Sequence, residues 1–289
     1  MTDAMHVFDR AAVRRHRDRA AATVDTVADV LRDVADRLLD RLDDTTRRFT
    51  CALDVGGRGV TAPMLLARGI EVVSTDLSPA MAARAGGLAM AADEENLPFA
   101  ANAFDLVVAN LSLHWINDLP GALIQLRRAL RPDGLFLASL PALGTLAELR
   151  TALTEAEAAL TGGAAPRVSP FADLRDCAGL LQRAGFALPV ADAEDIVLAY
   201  ATPFALLRDL QAAGESNATR LRDRRVPHRA LFPAALAALP VHDGRHPVTL
   251  RLAVMTGWAP APTQPLPLPR GSGQVNLAEA LRGPQPDGG

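Results

Sequence analysis

The chain has 289 residues, 49% of them hydrophobic and 22% charged, and a formal net charge of −3 at pH 7. These values are ordinary for a folded protein of one or two domains and argue against wholesale disorder. The slightly negative charge gives no electrostatic support for nucleic acid as a partner. No apolar run reaches the length of a membrane span, which is about 18 residues.

Two cysteines, Cys51 and Cys177, are too few for a disulfide framework and favour a reducing compartment. The N-terminal region has no apolar signal-peptide core, and aspartates interrupt its run of arginines, which argues against a transit peptide. We therefore expect a cytoplasmic protein.

Residues 11–42 contain neither glycine nor proline, and valine and leucine recur there at helical spacing. The pattern predicts one long helix or two. The arginines at its start indicate a solvated face on a capping helix; the alternative is that this segment covers a ligand.

A first core strand from Phe49 leads into a glycine loop, Asp54-Val55-Gly56-Gly57-Arg58-Gly59, and then a helix from about Pro63. Glycines let a backbone approach a ligand closely, and the following helix directs free N–H groups and its positive dipole end towards that ligand. Taken alone, the loop is equally consistent with a tight strand-to-helix turn.

Acidic residues follow the next two predicted strands. Residues 70–76 predict a second strand ending on Asp76, about 20 residues past the loop, where a doubly wound sheet places an acid against ribose hydroxyls. Ser78 and Pro79 start a helix, and residues 88–91 predict a third strand, followed by Asp93, Glu94 and Glu95. A carboxylate there can accept from an exocyclic amine; the alternative is a solvated turn.

Residues 104–111 predict a fourth, fully buried strand of the kind found in parallel sheets. Residues just past the carboxyl end of a central strand line the crevice where open α/β sheets bind ligands. Asn110, His114 and Trp115 are therefore candidates for the substrate side. The alternative for the last two is a packed corner with a satisfied imidazole.

The rest of the chain is less regular. The pattern predicts a helix at 118–130, a turn at 131–134 and a strand at 135–140, then helices at 145–160, 169–184 and 204–212 and strands at 195–201 and 248–257. Gly214-Glu215-Ser216-Asn217, by itself, is a polar cap. Beyond Trp258 we expect a proline-rich tail with a short helix at 277–281.

Strands alternate with helices through the first two-thirds, which predicts an α/β fold with a doubly wound, mostly parallel sheet covered on both faces. We divide the chain into an N-terminal helical cap, a Rossmann-like core, a C-terminal part that completes the sheet, and a tail, at residues 1–45, 46–190, 191–259 and 260–289.

The order of these features resembles the class I S-adenosylmethionine-dependent methyltransferases, which implies a seven-stranded sheet and S-adenosylmethionine as cofactor. In that superfamily the glycine loop faces the methionine part, the second-strand acid holds the ribose hydroxyls, and the acid after strand three meets the adenine amino group. The resemblance assigns cofactor binding to Asp54, Gly56, Gly57, Gly59, Asp76, Leu77, Asp93, Glu94 and Asn110. Residues 93–99 and 104–108 are similar to the branch that methylates small molecules and carrier proteins.

A narrower resemblance covers nearly the whole chain. Its segments are 8–10, 111–120, 169–171, 183–186, 209–211, 214–217, 257–258 and 270–272. They resemble the family of the mitochondrial respiratory complex I assembly factor and its bacterial relatives, which has a methyltransferase fold and is described as hydroxylating an arginine of a complex I subunit. The resemblance implies a complex I subunit as partner and makes 214–217 a family feature.

Two departures bear on activity. The loop at Gly56 is one residue shorter than is usual in the superfamily; either glycine's backbone freedom absorbs the loss or a carbonyl is pushed towards the methionine carboxylate. Hydroxylation commonly uses iron held by two histidines and a carboxylate. The one tight cluster, His242-Asp243 with His246, lies in a loop, and we expect no metal site.

Three functions remain open. Methyl transfer requires chiefly that the methyl group and the nucleophile be held in line with water excluded, and His114 is the candidate general base. For hydroxylation, Asp118 or Glu215 would pair with the substrate guanidinium. The third is a non-enzymatic assembly protein. We predict a methyltransferase linked to complex I assembly, with the other two as alternatives. Its catalytic residues would be His114 and Asn110, and its substrate side Trp115, Asp118, Glu215 and Asn217.

Overall fold

The computed structural model describes residues 6–264 together with Ser272 and Asn276. The short helix predicted at 277–281 and most of the predicted tail lie outside the described residues.

The centre of the fold is one sheet of seven strands within the described part of the chain. The strands are β1 (Cys51–Val55), β2 (Glu71–Asp76), β3 (Leu88–Ala91), β4 (Phe104–Asn110), β5 (Leu130–Pro141), β6 (Ala187–Tyr200) and β7 (His246–Trp258). Their order is β3-β2-β1-β4-β5-β7-β6; β1 to β5 are parallel, and β7 is antiparallel to both neighbours. The predicted doubly wound, mostly parallel sheet is confirmed.

Helices cover both faces of this sheet. They are α1 (Arg10–Ala20), α2 (Ala28–Leu39), α3 (Thr61–Ala67), α4 (Pro79–Ala82), α5 (Leu119–Ala129), α6 (Ala147–Thr161), α7 (Leu174–Ala184), α8 (Pro203–Ala212) and α9 (Leu231–Ala237). Along β4 the buried side chains alternate: Val107 packs in the cluster that contains residues of α5 and α7, and Leu106 in the cluster that contains residues of α2 and α3. This alternation explains why the strand is apolar throughout.

The segment predicted as one helix or two is two. α1 ends at Ala20, a 3-10 turn follows at Val24–Val27, and α2 begins at Ala28. The N–H and hydroxyl groups of Thr23 both point back to the carbonyl of Ala20, which stops α1 there.

The structure differs from the sequence prediction at several other places. The turn predicted at 131–134 is part of β5, where the pairing with β4 shifts register. The helix predicted from Ser169 starts at Leu174, because Asp173 caps it by accepting from the N–H of Arg175. α9 was not predicted.

β6 is longer than predicted and begins at Ala187. It is the edge strand of the sheet, a position that tolerates a proline and several acidic residues. β6 also crosses residue 190, where the core and the C-terminal part were divided, so that division remains a prediction. Across the described ranges, no helix has the length and apolar character needed to span a membrane.

Candidate functional site

The loop between β1 and α3 is closed by three left-handed residues. Gly56, Arg58 and Gly59 have φ angles of +65°, +53° and +76°. This conformation is open to glycine but strained for arginine. The shortened loop closes without disturbing β1, which stays in parallel register with β2 from Cys51 to Val55.

Gly56 and Gly57 also have no room for a side chain. A Cβ atom on Gly56 would lie 2.6 Å from Cβ of Ser112, and one on Gly57 would overlap the carboxylate of Asp54. The N–H of Gly56 donates to the carbonyl of Thr75 at 2.7 Å. The loop is therefore packed directly against the carboxyl ends of the neighbouring strands.

Asp54 lies buried beneath this loop. Its Oδ2 accepts from the hydroxyl of Ser74 at 3.2 Å, and its Oδ1 has no hydrogen-bond partner among the described residues. Burial raises the pKa of the Asp54 carboxyl to about 7, helped by the negative charge of Asp76. The carboxyl is thus a buried acceptor with one oxygen free.

Asp76, at the end of β2, forms a buried ion pair with α1. Arg17 donates through Nη1 to Oδ2 at 2.8 Å, and the N–H of Ser78 donates to Oδ1 at 2.8 Å. The Arg17 and Asp76 side chains are 1% and 2% exposed. Both carboxylate oxygens of the predicted ribose-binding acid are therefore engaged by this chain.

The acids after β3 are held by the same helix. Nη2 of Arg10 donates to Oδ1 of Asp93 at 2.6 Å and also to the carboxylate of Glu94. Arg10 and Arg17 are seven residues apart, so they lie on one face of α1 about 10 Å apart along its axis. The solvated face predicted for these arginines is wrong for Arg10 and Arg17, which pair with acids, whereas Arg14, Arg15 and Arg19 are exposed.

Apolar contacts fix α1 over this cleft. Phe8 packs edge-on against Trp115 with ring centroids 5.2 Å apart, and Leu77 packs against the same cluster. The N–H of Asp9 donates to the carbonyl of Ala218 at 2.8 Å. The cleft at the carboxyl ends of β2 and β3 is therefore roofed by the N-terminal segment.

The residues of this cleft fit the nucleoside part of S-adenosylmethionine in their chemistry. Carboxylates stand at two places in the cleft, at the end of β2 and after β3, and each accepts from N–H donors here. Ribose hydroxyls and an adenine amino group are donors of the same kind. The cleft also adjoins the point between β1 and β4 where the strand order reverses, the usual ligand site of such sheets.

A second cluster surrounds Glu215. Its carboxylate accepts from Nε2 of His114 at 2.7 Å, from Nε1 of Trp115 at 2.7 Å and from Nη2 of Arg58. Burial acts to raise the pKa of Glu215, but the positive charge that His114 carries when protonated, the charge of Arg58 and the His114 hydrogen bond outweigh it and hold that pKa well below its ordinary value. Burial lowers the pKa of Arg58 to about 10, with Arg17 adding to the effect. Glu215 is thus the anion that joins three buried donors.

Nδ1 of His114 has no hydrogen-bond partner in the part of the chain that the structure describes. Because a carboxylate can only accept, Nε2 carries a proton, and in the neutral ring Nδ1 is then a free acceptor. His114, Trp115, Glu215 and Asn217, all predicted from the sequence, line one cavity of about 600 Å³, together with Arg58.

Two predicted residues face elsewhere. The Asn110 amide donates to the carbonyl of Leu31 at 2.9 Å and accepts from the hydroxyl of Ser139 at 2.9 Å, so both of its ends are engaged in the interior. Asp118 is exposed and caps α5 by accepting from the N–H of Gly121 at 2.9 Å. We do not carry either side chain forward as a site residue.

Among residues 6–264, Ser272 and Asn276, no group of three or more His, Cys, Asp or Glu side chains is placed to hold a metal ion. The sequence had offered one tight cluster, His242-Asp243 with His246. There Nδ1 of His246 lies 3.2 Å from the carbonyl oxygen of Pro240, and Nε2 of His242 lies 3.9 Å from the carboxylate of Asp243.

Three arginines of the site were not predicted as site residues: Arg10, Arg17 and Arg58. Two signals in the sequence point to them. Arg10 and Arg17 have the seven-residue spacing of one helical face, and Arg58 stands within a loop that otherwise favours residues without side chains. Neither signal names the acid with which each arginine pairs.

The methyltransferase domain family matches residues 53–138 of this chain. The arginine-hydroxylase NDUFAF5 of Danio rerio is 38% identical over 95% of this chain and 89% of that protein, and the Homo sapiens protein is 37% identical over 95% and 83%. The malonyl-[acyl-carrier protein] O-methyltransferase of Laribacter hongkongensis is 38% identical over 90% of this chain and 93% of that protein.

Solved structures share the fold. YcgJ of Bacillus subtilis has a TM-score of 0.55 at 12% identity and covers 78% of this chain and 98% of its own. A putative methyltransferase of Bacillus halodurans has a TM-score of 0.52 at 15% identity and covers 78% and 99%.

The cytoplasmic location predicted from the sequence is wrong by this comparison, because the similar fish and human proteins are named as mitochondrial. The prediction rested partly on free cysteines, which do not distinguish one reducing compartment from another.

Proposed function

The chain belongs to the class I S-adenosylmethionine-dependent methyltransferase superfamily, close to the NDUFAF5 arginine-hydroxylases and the malonyl-carrier-protein methyltransferases, and we propose that it is a methyltransferase that acts in the assembly of respiratory complex I. The observation that carries the cofactor assignment is the convergence of Asp76, Asp93 and Glu94 beneath one face of α1.

In this proposal Asp76 holds the ribose hydroxyls, and Asp93 and Glu94 receive the adenine amino group. The loop at Gly56, Gly57 and Gly59 faces the methionine part, with Asp54 behind it, and Leu77 packs against the nucleoside. The bound cofactor supplies an electrophilic methyl group.

The N-terminal helix must yield for this to happen. Both oxygens of Asp76 are already bonded, one of them to Arg17, and one oxygen of each of Asp93 and Glu94 is bonded to Arg10. A cofactor therefore exchanges its own donors for these guanidinium groups. We propose that α1 shifts or that the two arginine side chains turn away when the cofactor binds, and that α1 then covers it and excludes water.

His114 is the proposed general base. Glu215 fixes the ring through Nε2 and leaves Nδ1 without a partner among the described residues, and the carboxylate stabilises the imidazolium that forms when Nδ1 takes a proton. Glu215 acts through His114 and is a positioning residue. An acceptor in the cavity would deliver its proton to Nδ1.

Hydroxylation of an arginine on a complex I subunit is the second candidate. Its support is the name of the NDUFAF5 relatives and one feature of the site: Asp76, Glu94 and Glu215 each bind a guanidinium group of this chain. Carboxylates that accept from the planar donors of arginine in this way are suited to a substrate arginine as well.

The test is intact-mass analysis of complex I subunits purified from cells with and without this protein. The proposal predicts that one subunit gains the mass of a methylene group only when the protein is present, and the second candidate predicts the mass of an oxygen atom. Cells that produce the Asp76→Ala variant serve as the control and should match cells without the protein. Identical subunit masses in all three cell lines would contradict both candidates.

A further inference from the structure

The cavity beside His114 is much larger than one catalytic side chain needs. It has a volume of about 600 Å³ and extends from the Glu215 cluster between α6, α8 and the β6–β7 edge of the sheet. Most of its wall is aliphatic or aromatic. Examples are Leu31, Leu149, Leu153, Leu198, Phe232 and Val248.

A partly open space of this size with an apolar wall is unlike the close-packed interior of a protein. Small-molecule sites, by contrast, have volumes of about 300 to 1,000 Å³ and mostly apolar walls. The cavity is therefore of the kind that receives the body of an apolar molecule.

The charged side chains in its wall are already paired. Glu215 binds Arg58, Arg167 binds Glu157, and Asp209 is hydrogen-bonded to the Tyr200 hydroxyl. An anionic head group would thus find no free positive charge among the described wall residues and would lose its hydration.

Two buried side-chain atoms of the wall residues lack a hydrogen-bond partner among the described residues: Nε of Arg58, which is a donor, and Nδ1 of His114. Nδ1 of His114 has no hydrogen-bond partner among the described residues, and the side chain of His114 is 3% exposed. With Nε2 donating to Glu215, Nδ1 of the neutral ring is an acceptor and calls for a donor on the ligand. A hydroxyl group is the simplest neutral donor.

We propose that this cavity binds a neutral amphiphile, an apolar chain or ring system with one hydroxyl group that donates to Nδ1 of His114. The amphiphile would occupy the cavity, and bind the His114 atom, that the proposed function gives to the methyl acceptor, so the inference rests on that assignment. Its binding requires neither S-adenosylmethionine nor a complex I subunit. The proposal excludes an anionic head group and requires a molecule whose apolar body lies in the space between α6 and α8.

The experiment uses the full-length Trp258→Phe protein, in which Trp115, a wall residue, is the only tryptophan. Its fluorescence is followed during titration with 1-octanol, with octyl methyl ether, which lacks the donor, and with octanoate, which is charged. We expect saturable binding of one 1-octanol per chain. The ether should bind roughly two- to tenfold more weakly, because it lacks the one hydrogen bond that the hydroxyl donates, and octanoate should bind more weakly still.

Two variants assign the signal to the cavity. Val30→Phe fills space at a wall residue, whereas Val197→Phe makes the same change at an exposed position of β6 outside the wall. Binding should be lost in the first and kept in the second; Leu207→Phe, at another wall residue, replaces Val30→Phe if that variant does not fold. In His114→Ala, 1-octanol should bind no better than the ether, with the affinity of the ether unchanged.

The proposal is overturned if none of the three probes binds saturably, if both wall variants bind as well as Val197→Phe, or if octanoate binds more tightly than 1-octanol. Because the titrations contain no S-adenosylmethionine, a failure here is separate from a failure of the methyltransferase proposal.

Discussion

Arg17 and Asp76 form an ion pair that is almost fully buried, with Nη1 of the guanidinium 2.8 Å from Oδ2 of the carboxylate. The two residues are 59 positions apart in the chain, and their pairing brings the N-terminal helix onto the carboxyl end of β2. Arg17 therefore neutralises the charge of Asp76, the acid that we expect to bind the ribose of the cofactor.

Replacing Arg17 should destabilise the fold, because Asp76 is left buried without its counter-charge. We expect Arg17→Ala to lower the free energy of unfolding by about 3 to 5 kcal/mol in chemical denaturation. Arg14→Ala, an exposed position on the same helix, is the control and should change it by less than about 0.5 kcal/mol. Equal stability of the two variants would contradict a structural role for the pair.

Removing Arg10 should strengthen cofactor binding. Arg10 occupies acceptor oxygens of Asp93 and Glu94 that the adenine amino group would use. We expect Arg10→Ala to bind S-adenosylmethionine roughly two- to tenfold more tightly in calorimetry, because the cofactor no longer has to displace a hydrogen bond of Arg10. Arg15→Ala, exposed on the same helix, should bind like the wild type. Weaker binding by Arg10→Ala would mean that Arg10 contacts the cofactor instead of competing with it.

The glycine loop should tolerate no side chain at Gly57. A Cβ atom there would overlap the buried carboxylate of Asp54, so we expect Gly57→Ala to lower the melting temperature and weaken S-adenosylmethionine binding at least tenfold. Gly179→Ala is the matched control: Gly179 lies inside α7 with open space around it, and alanine should stabilise the helix by about 0.5 to 1 kcal/mol. Similar behaviour of the two variants would show that the close approach at Gly57 is unimportant.

Asp54 should give the stability a distinct pH dependence. Burial raises its pKa to about 7 in the folded chain, against about 3.9 for an unfolded aspartate. Because the folded pKa is the higher one, the stability from this group is fully present below about pH 4 and is lost as the pH rises through about 7.

Asp54→Asn removes this titration. We expect the unfolding free energy of the wild type to fall by about 2 to 4 kcal/mol relative to that of the variant between about pH 4 and pH 8, in denaturation measured at each pH. Asp29→Asn, an exposed position, should run parallel to the wild type. A constant difference between wild type and Asp54→Asn would place the carboxyl in a solvated environment.

The sequence predicted the acids of the cleft because they end strands. In a parallel sheet all carboxyl ends lie at one edge, so Asp76 and Asp93 had to come together whatever the loops do. The same logic was less informative for Asn110, whose strand position was predicted within one residue: the direction of its side chain depends on acceptors such as Leu31 that only the packed fold provides.

The arginines were beyond this reasoning. Local periodicity places Arg10 and Arg17 on one helical face, but it cannot say that the face turns inwards, because that depends on Phe8 packing against Trp115 more than one hundred residues away. The cavity was hidden for a related reason. Its walls come from segments that each look like ordinary core, and the space between them exists only in the assembled structure.

The most direct test of the central claim is calorimetric titration of the wild-type protein and of Asp76→Ala with S-adenosylmethionine, with Asp29→Ala as the exposed control. The account predicts saturable binding by the wild type and the control, and at least tenfold weaker binding by Asp76→Ala. No measurable heat from the wild type at millimolar ligand, or equal affinity in Asp76→Ala, would contradict it.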